Sequence, residues 1–87
     1  MSFKNLKREL TSIVTEINIA NGINLRMQQI KMNELHILID DKKRSTHTFY
    51  ISVDEKGKCI YRTPEKKQTF ITEELVKDFK NWSKKFY

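Results

Sequence analysis

The feature that most constrains this chain is a change in the spacing of its apolar residues, which happens once near residue 22 and again near residue 70. From Phe3 through Leu6, Leu10, Ile13 and Val14 to Ile17 they recur in steps of three and four, the period of a helix with one face on a core. Between Ile23 and Arg62 the step becomes two: Ile23, Leu25 and Met27; Ile30 and Met32; Leu35, Ile37 and Ile39; Phe49, Ile51 and Val53. That is the spacing of strands with one face buried. Leu75, Val76, Phe79, Trp82 and Phe86 return to helical spacing.

Local chemistry sets the boundaries. Ser2 suits an N-cap, and Asn21-Gly22 ends the first helix because glycine accepts the left-handed conformation there. Helix one is expected over residues 3–20. The parity switch between Met27 and Ile30 predicts a bulge or bend, and Asn33-Glu34 is expected to close a tight hairpin. Asp40-Asp41-Lys42-Lys43-Arg44-Ser45 reads as a charged connection in solvent.

Asp54-Glu55-Lys56-Gly57-Lys58 has the pattern of a three-residue hairpin loop with a glycine bulge. Pairing Asp54 with Lys58 sets Val53 opposite Cys59 and Ile51 opposite Tyr61 on one face. A four-residue loop would pair Val53 with Lys58 and bring Tyr50 beside Tyr61 on the outer face, because one residue of slip reverses every side chain. The glycine-bulge register is the one expected.

Residues 63–68, with Pro64, read as a linker. Thr72 is then expected to cap the second helix, Glu73 and Glu74 to suit the positive end of its dipole, and Ile71 to staple onto Val76. The fold class that follows is α+β: a helix, a four-stranded antiparallel meander and a helix, with both helices on one sheet face. All 87 residues form a single domain. A chain this short buries roughly two thirds of its extended surface, so a homodimer would add to a modest core.

Composition bears on partners. Lys and Arg number 17 against 11 Asp and Glu, a formal charge of +6. This favours nucleic acid or an acidic protein surface. The excess is spread along both halves, and the Lys, Ile and Asn bias is also what an AT-rich phage or bacterial gene produces. Lysines exceed arginines, which suits nonspecific phosphate neutralisation more than bidentate reading of bases. One cysteine excludes an internal disulfide and a paired-cysteine metal site. Neither a signal-like stretch nor a membrane-length apolar run is present, so a cytoplasmic protein without membrane contact is expected.

Catalysis needs a nucleophile with a base, or a metal with several ligands. Cys59 is expected inside the sheet, His36 and His47 at the surface, and the paired acids Asp40-Asp41, Asp54-Glu55 and Glu73-Glu74 in turns or helix starts. With Gly22 and Gly57 the only glycines, no glycine-rich phosphate loop is possible. No enzyme activity, metal or cofactor is expected.

Binding is the better expectation, through the sheet face turned away from the helices. Its outward set is Lys31, His36, Leu38, Tyr50, Ser52, Ile60 and Arg62. A tyrosine among basic and amide groups suits base stacking in single-stranded or structure-read nucleic acid. The loop Lys42, Lys43 and Arg44, with Lys66 and Lys67 from the linker, would add affinity without sequence choice. The same face equally describes a protein interface, such as that of a phage or mobile-element factor that docks on a host enzyme or defence complex and inhibits or redirects it.

Overall fold

A computed structural model describes residues 2–64 and 68–87. It shows two helices and a five-stranded antiparallel sheet: α1 (Phe3–Asn21), β1 (Arg26–Lys31), β2 (Glu34–Asp40), β3 (Thr46–Val53), β4 (Cys59–Thr63), β5 (Gln68–Thr72) and α2 (Leu75–Ser83), followed by a short 3₁₀ turn, Lys84–Phe86. The strands lie in chain order, β1-β2-β3-β4-β5. The α+β class and the meander are as expected, but the sheet has five strands, not four.

The first helix forms as its sequence dictates. Ser2 accepts a hydrogen bond from the Asn5 N–H, and Gly22, at φ 63°, donates its own N–H to the Asn18 carbonyl. Leu6, Leu10, Ile13, Val14 and Ile17 are its buried stripe. The connection after it is held by one side chain: Asn18 accepts from the Leu25 N–H at 2.8 Å and donates to the Leu25 carbonyl at 3.1 Å. Leu25 is thereby buried just ahead of β1, and Ile23 and Leu25 lie outside the strand they were expected to begin.

In β2 and β3 the alternation is clean. Leu35, Ile37, Ile39, Phe49, Ile51 and Val53 are buried on the inner face. They join the α1 stripe and Leu75, Phe79 and Trp82 of α2 in one core, so both helices cover the same sheet face. The expected irregularity in β1 is a register shift between Gln29 and Lys31. The first hairpin pairs Lys31 with Glu34, so its turn is Met32-Asn33, one residue earlier than expected. Asn33 ties that turn to β3: it donates through Nδ2 to the Val53 carbonyl and accepts from the Val53 N–H.

The Asp54–Lys58 loop takes the glycine-bulge form. Asp54 N–H donates to the Lys58 carbonyl, and Gly57 sits at φ 79°. Val53 pairs with Cys59 and Ile51 with Tyr61, so the alternative four-residue loop is excluded.

The chain departs most from expectation after Pro64. Gln68–Thr72, read as the end of a linker and a helix cap, is β5, which pairs Thr72 with Cys59 and Phe70 with Tyr61. Phe70 continues an inner-face stack, Phe49 on Tyr61 at 4.9 Å and Tyr61 on Phe70 at 5.0 Å. Ile71 points to the other face, 71% exposed, and does not staple onto α2. Thr72 is not the N-cap either; α2 starts after Glu74, and the Thr72 hydroxyl accepts from the Glu74 N–H and donates to Asp78.

Candidate functional site

The register of the sheet builds the outer face row by row. Across the centre run Gln28, His36, Tyr50, Arg62 and Thr69, each directly opposite the next. Neighbouring rows are Glu34, Ser52, Ile60 and Ile71 on one side and Arg26, Leu38 and Thr48 on the other. Since residues two apart share a face, this surface is the complement of the core alternation.

Tyr50 is the hub of the central row. The Arg62 guanidinium lies over its ring, 4.6 Å from the centroid. The His36 ring meets it edge-on at 4.4 Å, and His36 Nε2 is 3.1 Å from Glu34 Oε1. All four side chains hold one another in place across three strands. Arg26 is likewise engaged, donating to Asp40 at 3.2 Å. Outward charges on the described strands are thus Arg26, Lys31 and Arg62 against Glu34 and Asp40, a nearly balanced set. Leu38 and Ile60 are half-buried between these groups. A groove of about 260 Å³ runs between Glu34, Tyr50, Ser52, Ile60, Arg62 and Thr69.

Of the basic residues singled out from the sequence, His36 and Arg62 lie in this row, whereas Lys31 and the Lys42, Lys43 and Arg44 loop do not converge on it. Lys31 sits at the hairpin end of β2 and the Lys42, Lys43 and Arg44 loop at the other, six residue steps away, or about 20 Å. Lys66 and Lys67 lie outside the described residues. Among the described residues, Lys42, Lys43 and Arg44 are in no ion pair. The loop is rigidly built all the same. Asp41 Oδ1 accepts from the Lys43 and Ser45 N–H groups at 2.8 and 2.9 Å, and Oδ2 lies 2.8 Å from His47 Nε2. The bond to His47, then that from Ser45, holds the Asp41 carboxyl below the usual carboxylate range. Lys42 and Lys43 border a groove of about 640 Å³ shared with Ile23, Ile39, Lys85 and Phe86.

Cys59 is half-buried on the inner face, and burial raises its thiol pKa, which keeps it protonated. His36 is engaged with Glu34 and Tyr50, and among the described residues no hydrogen bond links it to Ser52 or any other hydroxyl nucleophile. No group of three or more His, Cys, Asp or Glu side chains there could hold a metal ion. No helix among them is long and apolar enough to cross a membrane. Thr63 Oγ1 and Trp82 Nε1 are buried and have no hydrogen-bond partner among the described residues. Both residues line a cavity of about 240 Å³ under α2, large enough for water.

Sequence reasoning singled out His36, Tyr50 and Arg62 separately; the structure makes them one cluster. It overlooked Gln28 and Thr69, which complete the row, and misplaced Ile71. The outward parity of Thr69 and Ile71 would have revealed both had residues 68–72 been read as a strand. No protein-family model matches the chain, and neither curated proteins nor solved structures yield a match.

Proposed function

We propose that this chain is a non-catalytic binding domain that recognises an acidic surface of another protein through its exposed sheet face, with Tyr50 and Arg62 as anchors. The observation that carries this reading is the Arg62–Tyr50–His36 cluster at the centre of the face. Tyrosine and arginine dominate the energetics of protein interfaces. Here each restrains the other before any partner arrives, which lowers the entropic cost of binding. Half-buried Leu38 and Ile60 supply apolar surface beside them, and Arg26–Asp40 and Glu34–His36 provide a polar rim with satisfied hydrogen bonds. The overall charge of +6 steers the domain toward an acidic partner without a strongly basic contact surface.

The test is capture from lysate on immobilised wild-type and Tyr50→Ala protein, followed by rebinding of each purified captured protein. A partner whose affinity falls about thirtyfold with Tyr50→Ala, the mark of a hot spot near 2 kcal/mol, supports the reading. Partners indifferent to Tyr50→Ala and Arg62→Ala count against it.

A second reading, single-stranded nucleic-acid binding, draws on a different observation: Lys42, Lys43 and Arg44 form a cationic loop with no ion pair among the described residues. Anisotropy with labelled single- and double-stranded oligonucleotides at about 50 and 200 mM salt separates the two. Micromolar binding that collapses at the higher salt, with a slope flattened by changing the three residues to Ala, replaces the protein reading with this one. No binding at the lower salt removes it.

A further inference from the structure

The five-stranded sheet has two open edges, and they are built very differently. β1 is protected in three ways. Its register shifts between Gln29 and Lys31, it carries Arg26 and Lys31, and the Gln29 side chain donates to the Lys31 carbonyl at 3.2 Å. Bulges and edge charges of this kind stop one sheet from pairing with another. β5 pairs with β4 without a register shift. Its residues, Gln-Thr-Phe-Ile-Thr, include no charge, proline or glycine, and Ile71 beside the edge is 71% exposed.

Which backbone groups face that edge follows from alternation. Asp54 donates its N–H to the Lys58 carbonyl, so its backbone bonds β4. In an antiparallel ladder every second residue then bonds the same neighbour, so Ile60 and Arg62 bond β3 and Cys59, Tyr61 and Thr63 bond β5. Phe70, opposite Tyr61, therefore turns its backbone inward to β4, and Thr69 and Ile71 turn theirs to the open edge. Among the described residues nothing pairs with the two N–H groups and two carbonyls that face it.

We propose that this edge is a homodimer interface, in which β5 of one copy pairs antiparallel with β5 of a second about a two-fold axis at Phe70. In that register Thr69 lies opposite Ile71 of the second copy, and each exchanges both of its edge bonds, so all four groups on each copy are paired with their counterparts. Registers centred on Thr69 or Ile71 leave part of the edge unmatched. Charge order selects the same partner. In sequence the strand is preceded by Lys66 and Lys67 and followed by Glu73 and Glu74. In an antiparallel pair the two chains run in opposite order, so the sequence that is basic before the strand in one copy runs against the sequence that is acidic after it in the other. Among the described residues Glu73 is in no ion pair, and Glu74 makes one exposed pair, with Lys77 at 3.6 Å. The product is a continuous ten-stranded sheet whose outer face carries two copies of the Arg62–Tyr50–His36 cluster.

The experiment is light scattering coupled to gel filtration, with sedimentation equilibrium from about 10 µM to 1 mM, the range in which so small an interface associates. Wild-type protein is expected to reach twice the mass of the chain. Ile71→Pro removes an N–H that serves only the edge, and is expected to raise the dissociation constant at least about tenfold while leaving the circular dichroism unchanged. A second measurement does not depend on proline being tolerated. Glu73→Lys with Glu74→Lys in one variant, and Lys66→Glu with Lys67→Glu in another, each set like charges together and should be monomeric alone. Mixed, they should form a one-to-one heterodimer. A wild-type chain that stays monomeric at the highest concentration overturns the proposal. So does a dimer that survives Ile71→Pro, or charge variants that fail to rescue each other. Because the readout is mass without any partner, its outcome is independent of the sheet-face reading.

Discussion

The loops at the two ends of β3 are built on one plan from different materials. Asp41–Ser45 and Asp54–Lys58 make the same four bonds. In each, the aspartate N–H donates to the carbonyl four residues on, and the aspartate carbonyl accepts from the residue three on. Oδ1 then accepts from the N–H groups two and four residues on. In each, the fourth residue is left-handed, Gly57 at φ 79° and Arg44 at φ 63°. Glycine takes that conformation freely, whereas a residue with a Cβ is strained in it by about 1–2 kcal/mol. The first loop has what the second lacks, a bond from the other carboxylate oxygen to His47. One loop is thus specified locally by its glycine, and the other is held by a contact with the following strand. The reward for the strained choice is a third cation at the tip.

That comparison can be broken or sharpened at four points. Gly57→Arg copies the strain without the histidine anchor and is expected to cost about 1–2 kcal/mol. Urea denaturation followed by the fluorescence of buried Trp82 reads it, and an unchanged midpoint would show that the left-handed position tolerates any side chain. Asp54→Ala deletes two backbone bonds and should cost about 1 kcal/mol by the same assay. His47→Ala should cost less and in a pH-dependent way. Asp41 titrates in the fold below its ordinary value of 3.8, chiefly because of His47. The native state then binds fewer protons than the unfolded chain, so this contribution is fully present above that value and is lost as pH falls through the lower folded one. Wild type and variant should therefore converge below about pH 4, apart from a constant offset from the lost His47–Phe86 ring contact. Arg44→Gly is the smallest, a gain of about 0.5 kcal/mol, the relief of strain less the entropy that glycine returns to the unfolded chain. A loss there would mean that the Arg44 side chain makes a stabilising contact of its own.

The same contrast separates what could be read from the residues. The Gly57 loop announced itself, and it set the β3–β4 register that places Tyr50 opposite Arg62. The central row of the candidate site was in that sense legible. The Arg44 loop was visible only as a charged connection, because nothing in Asp-Lys-Lys-Arg-Ser marks a left-handed residue and His47 declares no partner. β5 was missed for a related reason. Phe70 and Ile71 are adjacent, one inward and one outward, so five residues show no apolar alternation. The strand is recognised by its pairing with β4 and by the stacking of Phe70 on Tyr61.

Alone, the sequence determined the elements whose signals are local: the α1 stripe with its caps, the inward faces of β2 and β3, the Gly57 turn, and the α2 stripe that buries Phe79 and Trp82. Periodicity and capping act over a few residues, and a few residues suffice to read them. Tertiary structure alone decided the fifth strand, the protected and unprotected edges, the balance of charge on the outer face and the separation of its basic loop from Tyr50. Each of these depends on which strand lies beside which, and that is settled only when non-local pairing and burial are satisfied together.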